Sequence, residues 1–159
     1  MIRPSELLLI ATLALAGGGT AAAQVCDPDV VDLRDEDTTL RFEVEVEDTA
    51  EGRAEGLMHR ESLPRFSGML FVYPKPGPVA FWMRNTLIPL DMLFFDPSGT
   101  LTRIQENAVP LDETPLPGGP NVLFVLEING GLADSLGIEP GAELRHPAVD
   151  PELAAWPCP

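Results

Sequence analysis

The sequence has few of the residues that build common catalytic and metal sites. It contains two cysteines and two histidines, and neither His59 nor His146 lies beside a serine or cysteine nucleophile motif. No residues have the spacing typical of metal ligands, and no glycine-rich phosphate loop joins a strand to a helix. We therefore predict no metal, no cofactor and no catalytic residue, and an enzymatic function is the less favoured interpretation.

Basic residues are also scarce. The chain has 10 Lys and Arg against 25 Asp and Glu, a formal net charge of −15. Such a surface repels nucleic acid and anionic lipid, so we expect neither as a partner. A small-molecule ligand is compatible with this charge, and no feature of the sequence indicates an oligomeric state.

No apolar run is long enough for a transmembrane helix. Residues 1–23 carry one arginine and an apolar segment of about ten residues, whereas a bilayer-spanning helix needs about 20. Ala21 and Ala23 match the small-x-small pattern of a signal-peptide cleavage site. Lipid attachment is not expected, because Val25, which is not a small residue, precedes Cys26. We predict a cleaved signal peptide, a periplasmic or secreted protein, and no membrane association after cleavage.

The two cysteines lie near the two ends of the predicted mature chain. An even pair in an exported domain suggests a disulfide between Cys26 and Cys158, and two unpaired thiols are the alternative. Closing so long a loop stabilises by up to about 4–5 kcal/mol in the chain-entropy model. The predicted organisation is a signal peptide at 1–23, a lead-in at 24–38, one globular domain at 39–146 and a proline-rich tail at 147–159.

Most of the domain has the pattern of short strands. Residues 40–47 alternate between apolar and charged side chains, the period of a strand with one wet face. PKPGP at 74–78 ends one strand, and DPSG at 96–99 has the residue preferences of a type I turn between antiparallel strands. The segment 108–119 is a proline-rich loop. The predicted strands are 30–33 (a strand or an ordered lead-in), 40–47, 69–73, 79–84, 91–95, 101–105, 122–128 and 142–145.

Two helical segments interrupt these strands. Asp48 and Glu51 form a capping-box signature, and apolar residues then recur at helical spacing, which predicts a helix over 49–60. Gly52 and Gly56 weaken this helix by roughly 1 kcal/mol each relative to Ala, which indicates close packing against another element. A helical turn or two follows a Gly-Gly pair near residue 132. That pair is typical of a tight turn, and a backbone anion site is the alternative.

Together these elements predict a mainly β (α+β) domain. The natural architecture is a compact small barrel or sandwich-like antiparallel sheet, with one capped helix and a short helical turn. Strands and helices do not alternate regularly, so a doubly wound parallel sheet is not expected.

Several separated motifs resemble one known family. They are GLMHRESL at 56–63, GMLFVYP at 68–74, FWMRNTLIPLDMLFFDPSG at 81–99, ENAVP at 106–110 and VLEINGGLADSLGIEPG at 125–141. In this order they are similar to the family called domain of unknown function 192, over about residues 40–146. The resemblance implies a compact, mostly β domain that is often exported in bacteria and has no established activity. It supplies no catalytic residues.

Polar residues within the apolar segment FWMRNTLIPLDMLFF form the candidate site. Burying an amide or carboxylate without a partner costs roughly 1–3 kcal/mol, so these groups either bond to one another or line a pocket. Trp82 offers a stacking surface, Arg84 a planar fork for a carboxylate or phosphate, and Asn85 a bidentate amide. Such a set suits a small anionic or sugar-like ligand. The alternative is a structural network in which Arg84 pairs with Asp91 or Glu127.

Three further residues extend the candidate ligand-binding set. Asn107 either fixes the proline-rich loop through hydrogen bonds or faces a groove beneath it. Arg60 either stabilises the end of the predicted helix as a cation or faces the ligand. Glu127 lies in an apolar strand, either facing outward or paired with an arginine.

These residues favour an exported small-ligand-binding or accessory module, with a polar groove around the FWMRN segment. One alternative is a hydrolase-like enzyme in which Asp91 and Glu127 act as paired carboxylates, which requires both carboxyls within roughly 5–10 Å in one cleft. The other alternative is a purely structural or protein-interaction domain.

Overall fold

The computed structural model describes residues 26–35 and 38–159, and the predicted signal peptide lies outside them. The strands of this part of the chain are β1 Val30–Arg34, β2 Thr39–Glu47, β3 Ser67–Phe81, β4 Leu90–Phe95, β5 Leu101–Ala108, β6 Leu116–Asn129 and β7 Glu143–Arg145. The helices of the described residues are α1 Ala50–Glu55 and α2 Leu132–Leu136. Neither helix has the length and hydropathy that crossing a bilayer requires.

The seven described strands form one sheet in the order β5-β4-β6-β3-β2-β1-β7. Neighbours are antiparallel except β2 and β3, whose parallel pairing needs a crossover connection that carries α1. The sheet curls so that its two edge strands approach each other at one point, where Thr100 bridges Glu143 and the Leu101 amide donates to the Ala142 carbonyl at 2.8 Å. The fold is thus a mainly β half-barrel, which confirms the predicted class.

Apolar side chains cover both faces of the sheet, because successive residues of a strand point to opposite sides. One set, which we call the α2 face, includes Leu93, Leu126 and Ile128 and packs against the residues of α2. The other set, the α1 face, includes Met92 and Val125 and packs against Leu57, just after α1. The side chain of a residue in β4 or β6 therefore lies on either the α1 face or the α2 face, according to its position along the strand.

The first helix is shorter than predicted, and its cap lies one residue later. Thr49, and not Asp48, is the N-cap, and its hydroxyl accepts from the Gly52 amide at 3.0 Å. The helix ends at Gly56, whose φ of 52° favours glycine. A Cβ at Gly56 would lie 3.2 Å from the Phe71 ring, so the close packing inferred for this glycine is confirmed. The predicted extension to residue 60 is wrong.

Two strands pass through prolines that were expected to end them. β3 continues through the PKPGP segment, with register shifts where it pairs with β6. Because β2 pairs only with 67–71 of β3, the edge beyond Phe71 is free of β2, and a proline there removes no hydrogen bond to β2. β6 likewise begins at Leu116, inside the predicted proline-rich loop, and not at residue 122.

The two ends of the described chain are held together on the sheet. A disulfide joins Cys26 to Cys158, with the Cα atoms 5.8 Å apart, which confirms the predicted pairing. The guanidinium groups of Arg34 and Arg145 lie over the ring of Trp156, at 4.5 and 4.1 Å from its centroid. β1 is a strand that pairs with both β2 and β7.

Candidate functional site

Two acidic residues in the apolar strands β4 and β6 lie on opposite faces of the sheet. In the β4–β6 register Asp91 pairs with Ile128, and Met92 pairs with Glu127. Since paired residues share a face and successive residues alternate, Asp91 belongs to the α2 face and Glu127 to the α1 face. The sheet separates their carboxyls, so they share no cleft. The alternative of paired catalytic carboxylates is therefore wrong.

Asp91 is fully buried, and backbone amides satisfy both of its oxygens. Oδ1 accepts from the amides of Asn107 and Gly131, and Oδ2 accepts from the amide of Ala133, each at 2.8 Å. These bonds tie the end of β5 and the first turn of α2 to the centre of the sheet. The Gly-Gly pair does contribute a backbone anion site, and a carboxylate of the same chain occupies it.

Glu127 has the opposite environment. It is 4% exposed, and its carboxyl has no hydrogen-bond partner among the described residues, so it is neither outward-facing nor paired with an arginine. Burial raises the pKa of Glu127 to about 8, because a low-dielectric environment disfavours the charged form. At neutral pH this group is mainly a carboxylic acid, which both donates and accepts a hydrogen bond.

A cavity of about 260 Å³ opens above Glu127 on the α1 face. Its walls come from α1 and the turn after it, from β3, and from the segment that follows β3. The lining residues are Arg53, Ala54, Glu55, Gly56, Leu57, Met58, Phe71, Tyr73, Ala80, Phe81, Trp82, Thr86 and Glu127. The cavity thus joins an aromatic wall to a single buried carboxyl.

The aromatic wall is fixed by ring contacts. Phe81 packs edge-on against Phe71, with centroids 5.1 Å apart and an interplanar angle of 87°, and against Phe94 at 5.9 Å. The guanidinium of Arg53 lies 5.0 Å above the Tyr73 ring and donates to the Val72 carbonyl at 2.9 Å. Burial raises the pKa of the Tyr73 hydroxyl, and the neighbouring Glu127 raises it further. Tyr73 therefore stays neutral beside the acid.

The FWMRN segment forms the rim of this cavity. β3 ends at Phe81, and Trp82 follows with 45% of its surface exposed. Arg84 is exposed, with its guanidinium 5.6 Å above the Trp82 ring, and has no hydrogen bond to Asp91 or Glu127. Asn85 takes a φ of 54°, and its carbonyl accepts from the His59 amide at 2.8 Å, which braces the turn after α1. Trp82 and Arg84 share the outer side, while Met83 between them is buried.

The remaining candidates lie elsewhere. Arg60 lies beyond the end of α1 and forms two hydrogen bonds with the exposed carboxylate of Glu45, which lower the pKa of that carboxyl. Asn107 gives its backbone amide to Asp91 on the α2 face. His146 is buried, with Nε2 2.8 Å from the Pro28 carbonyl. Of the predicted ligand-binding set, the structure brings Trp82, Arg84, Asn85 and Glu127 to the cavity or its rim, and it places Arg60, Asp91 and Asn107 apart from it.

Sequence reasoning missed Tyr73, Phe81 and Arg53. Tyr73 and Phe81 fall within the predicted strands 69–73 and 79–84, and Arg53 falls within the predicted helix 49–60, so none of them was considered as a site residue. A signal was present, because Tyr73 and Phe81 flank the PKPGP segment that was misread as a strand end. Treating 67–81 as one strand would have placed both residues along β6, but the register pairs Phe81 with Leu116 and Met69 with Glu127, so only the bends in β3 bring Phe81 to the cavity.

The curled sheet, with two short helices and a small cavity on one face, defines a mainly β half-barrel domain. The family model for domain of unknown function 192, described as "Uncharacterized ACR", matches residues 31–146. The chain belongs to this family, which has no assigned molecular function.

Two solved structures resemble the chain. A protein of unknown function from Novosphingobium aromaticivorans DSM 12444 is 44% identical, over 72% of this chain and 82% of that one, with a TM-score of 0.71. A protein from Sinorhizobium meliloti 1021, provisionally described as a transcription regulator, is 38% identical, over 76% of this chain and 94% of that one, with a TM-score of 0.72. No match was found among curated proteins.

Proposed function

We propose that this protein is an exported module that binds a small ligand in the cavity between Trp82 and Glu127. The observation that carries the proposal is the carboxyl of Glu127, which is buried, lines an open space and has no hydrogen-bond partner among the described residues. The carboxyl oxygens are open to the cavity, so a small molecule can reach them. A ligand that supplies the missing partner gains a hydrogen bond in a low-dielectric environment.

The shape of the site supports the same proposal. A cavity of about 260 Å³ lies just below the size range of drug-binding pockets, about 300–1,000 Å³, so it suits a small metabolite. Rigid rings and a few convergent polar groups are the usual composition of such sites. Arg84 and Asn85 at the rim are positioned to contact the part of a ligand that projects beyond Trp82.

Export is part of the proposal and has two supports. The disulfide between Cys26 and Cys158 is compatible with an oxidising compartment, and residues 1–23 have the pattern of a signal peptide. We expect a periplasmic or secreted protein whose N-terminal residue is Gln24. Intact-mass measurement of the protein recovered from the periplasm or medium checks this, and retention of residues 1–23 would contradict it.

The binding proposal is tested by a thermal-shift screen of the exported protein against sugars, amino acids, amines and other small metabolites. A ligand of the cavity raises the midpoint by mass action. Trp82→Ala is expected to remove the shift without unfolding the protein, because the ring is 45% exposed. Leu153→Ala, at an exposed apolar residue of the C-terminal tail that does not line the cavity, is the matched control and is expected to keep the shift. An unchanged shift in Trp82→Ala would exclude this cavity as the site.

A second candidate function, a protein-interaction module, has one specific support. Leu87, Val109 and Leu111 are 46%, 63% and 60% exposed, and the Leu111 amide donates to the carbonyls of Met83 and Thr86, which brings the two segments together at the rim. Adjacent exposed apolar residues are a common mark of a contact surface. The net charge of −15 makes nucleic acid an improbable partner for that surface. Leu87→Ser with Leu111→Ser is expected to abolish any self-association seen by light scattering.

A further inference from the structure

We propose that the ligand of the cavity is a small organic cation, with the carboxylate of Glu127 as its counter-ion and the rings of Tyr73, Phe81 and Trp82 as its walls. This inference rests on the proposed function and names the chemical class of the ligand.

The buried acid of the cavity has no positive partner within the described part of the protein. Glu127 is 4% exposed, and no cation among the described residues hydrogen-bonds to its carboxyl. Arg53 also lines the cavity, but its guanidinium lies over the Tyr73 ring and donates to the Val72 carbonyl. Arg53 therefore forms no ion pair with Glu127. A ligand that brings a positive charge supplies what the protein does not.

The walls of the cavity are aromatic and therefore favour a cation. Aromatic faces attract cations through the ring quadrupole, most strongly where water is excluded, and aromatic cages around ammonium groups use this attraction. The rings of Phe71, Tyr73, Phe81 and Trp82 line the same space as the acid. An anionic ligand would gain nothing from these rings and would be repelled by an ionised Glu127.

The cavity has too few metal-binding side chains for a metal ion, so an organic cation is the better fit. Among the described residues there is no group of three or more His, Cys, Asp or Glu side chains that could hold a metal. Two carboxyls, Glu55 and Glu127, line the cavity, and two ligands do not meet the number that Ca²⁺ or Zn²⁺ requires. An ammonium group needs one counter-ion, and its alkyl groups pack against the rings.

Binding is coupled to the loss of one proton. At neutral pH the free protein holds Glu127 mainly as the acid, and a bound cation favours the carboxylate, so the acid proton passes to solvent as the cation enters. The titratable or charged groups that face Glu127 are Tyr73 from β3 and Arg53 and Glu55 from α1. β4 contributes apolar Met92 beside it. Burial raises the pKa of the Tyr73 hydroxyl above its ordinary value of 10, so this tyrosine does not account for a pH dependence between pH 6 and 8.

Tetramethylammonium chloride is the direct probe, because it carries no proton of its own. At constant ionic strength, set with sodium chloride, it is expected to raise the midpoint of thermal unfolding. Its affinity for the exported protein should rise about tenfold from pH 6 to pH 7 and level off above pH 8, as linkage to one proton with a pKa of about 8 requires. n-Butylammonium is expected to bind as well, and 1-butanol, its neutral counterpart, is not.

Glu127→Gln is the decisive variant. It keeps the shape of the side chain and removes the charge, so both ammonium ions are expected to lose their effect, while Glu45→Gln at the surface keeps it. Equal stabilisation of Glu127→Gln by the cations would overturn the inference, because binding would then reflect the acidic surface. Cations without effect, together with a neutral metabolite that binds and depends on Trp82, would overturn the inference and leave the proposed function standing. Failure of every ligand class would contradict both.

Discussion

Asp91 in β4 and Glu127 in β6 are acids in neighbouring strands, one position apart in the β4–β6 register. The hydrogen bonding of their carboxyls is nevertheless entirely different. Both are buried. Asp91 faces α2, whose first turn supplies unpaired amides, and three backbone N–H groups complete its coordination. Glu127 faces a cavity and receives no hydrogen bond from the described residues. The comparison shows that the position of a buried acid in the strand alternation decides whether backbone donors satisfy it or it lines a cavity.

The largest expected effect is the loss of folding stability when the carboxylate of Asp91 is removed. Asp91→Ala leaves three amides without an acceptor, one buried and two part-buried, and we expect the free energy of unfolding to fall by about 3–5 kcal/mol. Urea denaturation with the disulfide intact measures this. Asp91→Asn keeps one acceptor oxygen and is expected to lose less. A loss below about 1 kcal/mol for the alanine variant would contradict the structural role of Asp91.

Glu127 is expected to respond in the opposite direction, and the response depends on pH. Its pKa is about 8 in the folded protein against an ordinary 4.5, so between these values the folded state holds a proton that the unfolded state has released. This group's contribution to stability is greatest below pH 4.5, falls as pH rises to about 8, and is constant above that.

Glu127→Gln removes this dependence. At pH 8 the variant is expected to gain stability over the wild type, on the order of 2–4 kcal/mol, relative to their difference at pH 5. Urea denaturation of both proteins at the two pH values gives the comparison. Parallel pH profiles for the two proteins would show that Glu127 titrates normally.

A smaller effect is expected at the glycine that presents its amide to Asp91. Gly131 has a φ of 76°, which costs an L-residue roughly 1–2 kcal/mol. Gly131→Ala should lower the free energy of unfolding by about that amount. Gly77→Ala is the matched control, since a Cβ there meets nothing within 4 Å. Equal losses in the two variants would mean that the conformation of Gly131 is not what the Asp91 site requires.

The smallest effect is expected for an acid at the surface. Glu45 bonds to Arg60, which lowers the pKa of the carboxyl, but the side chain is 55% exposed. Solvent and salt screen such a pair, so Glu45→Gln should cost only about 0.2–1 kcal/mol at pH 7. The difference should vanish on acidification, as the wild-type carboxyl takes up its proton. A loss as large as that of Asp91→Ala would remove the distinction between buried and surface acids.

The fold could be predicted where one local rule decided the outcome. Alternation along residues 40–47 gave β2, and the pair of cysteines gave the disulfide. The predicted boundaries of β3 and β6 are wrong, because neighbouring strands and not the local sequence determine where these strands begin and end. The PKPGP segment is compatible with a strand only because β2 does not reach that edge of β3, and no local pattern reports how far a neighbour extends.

The candidate site was predicted only in part, because the local sequence does not report which side chains the fold brings together. Trp82 and Glu127 were found because an amphipathic ring and an acid stand out in apolar strands. Asp91 stood out equally, yet its partners are backbone amides of α2 and Asn107, which carry no side-chain signature. Tyr73 and Arg53 drew no attention, because only the three-dimensional path of β3 brings them to the cavity.

The bond between Cys26 and Cys158 has a consequence for how the protein withstands proteases. The two cysteines are 132 positions apart in the sequence, and their bond closes the chain between them into a covalent ring. A single cut in an exposed segment, such as the one carrying Val109 and Leu111, opens the ring without releasing either piece. The nicked protein keeps its strands tethered, and its two fragments separate on a gel only after reduction.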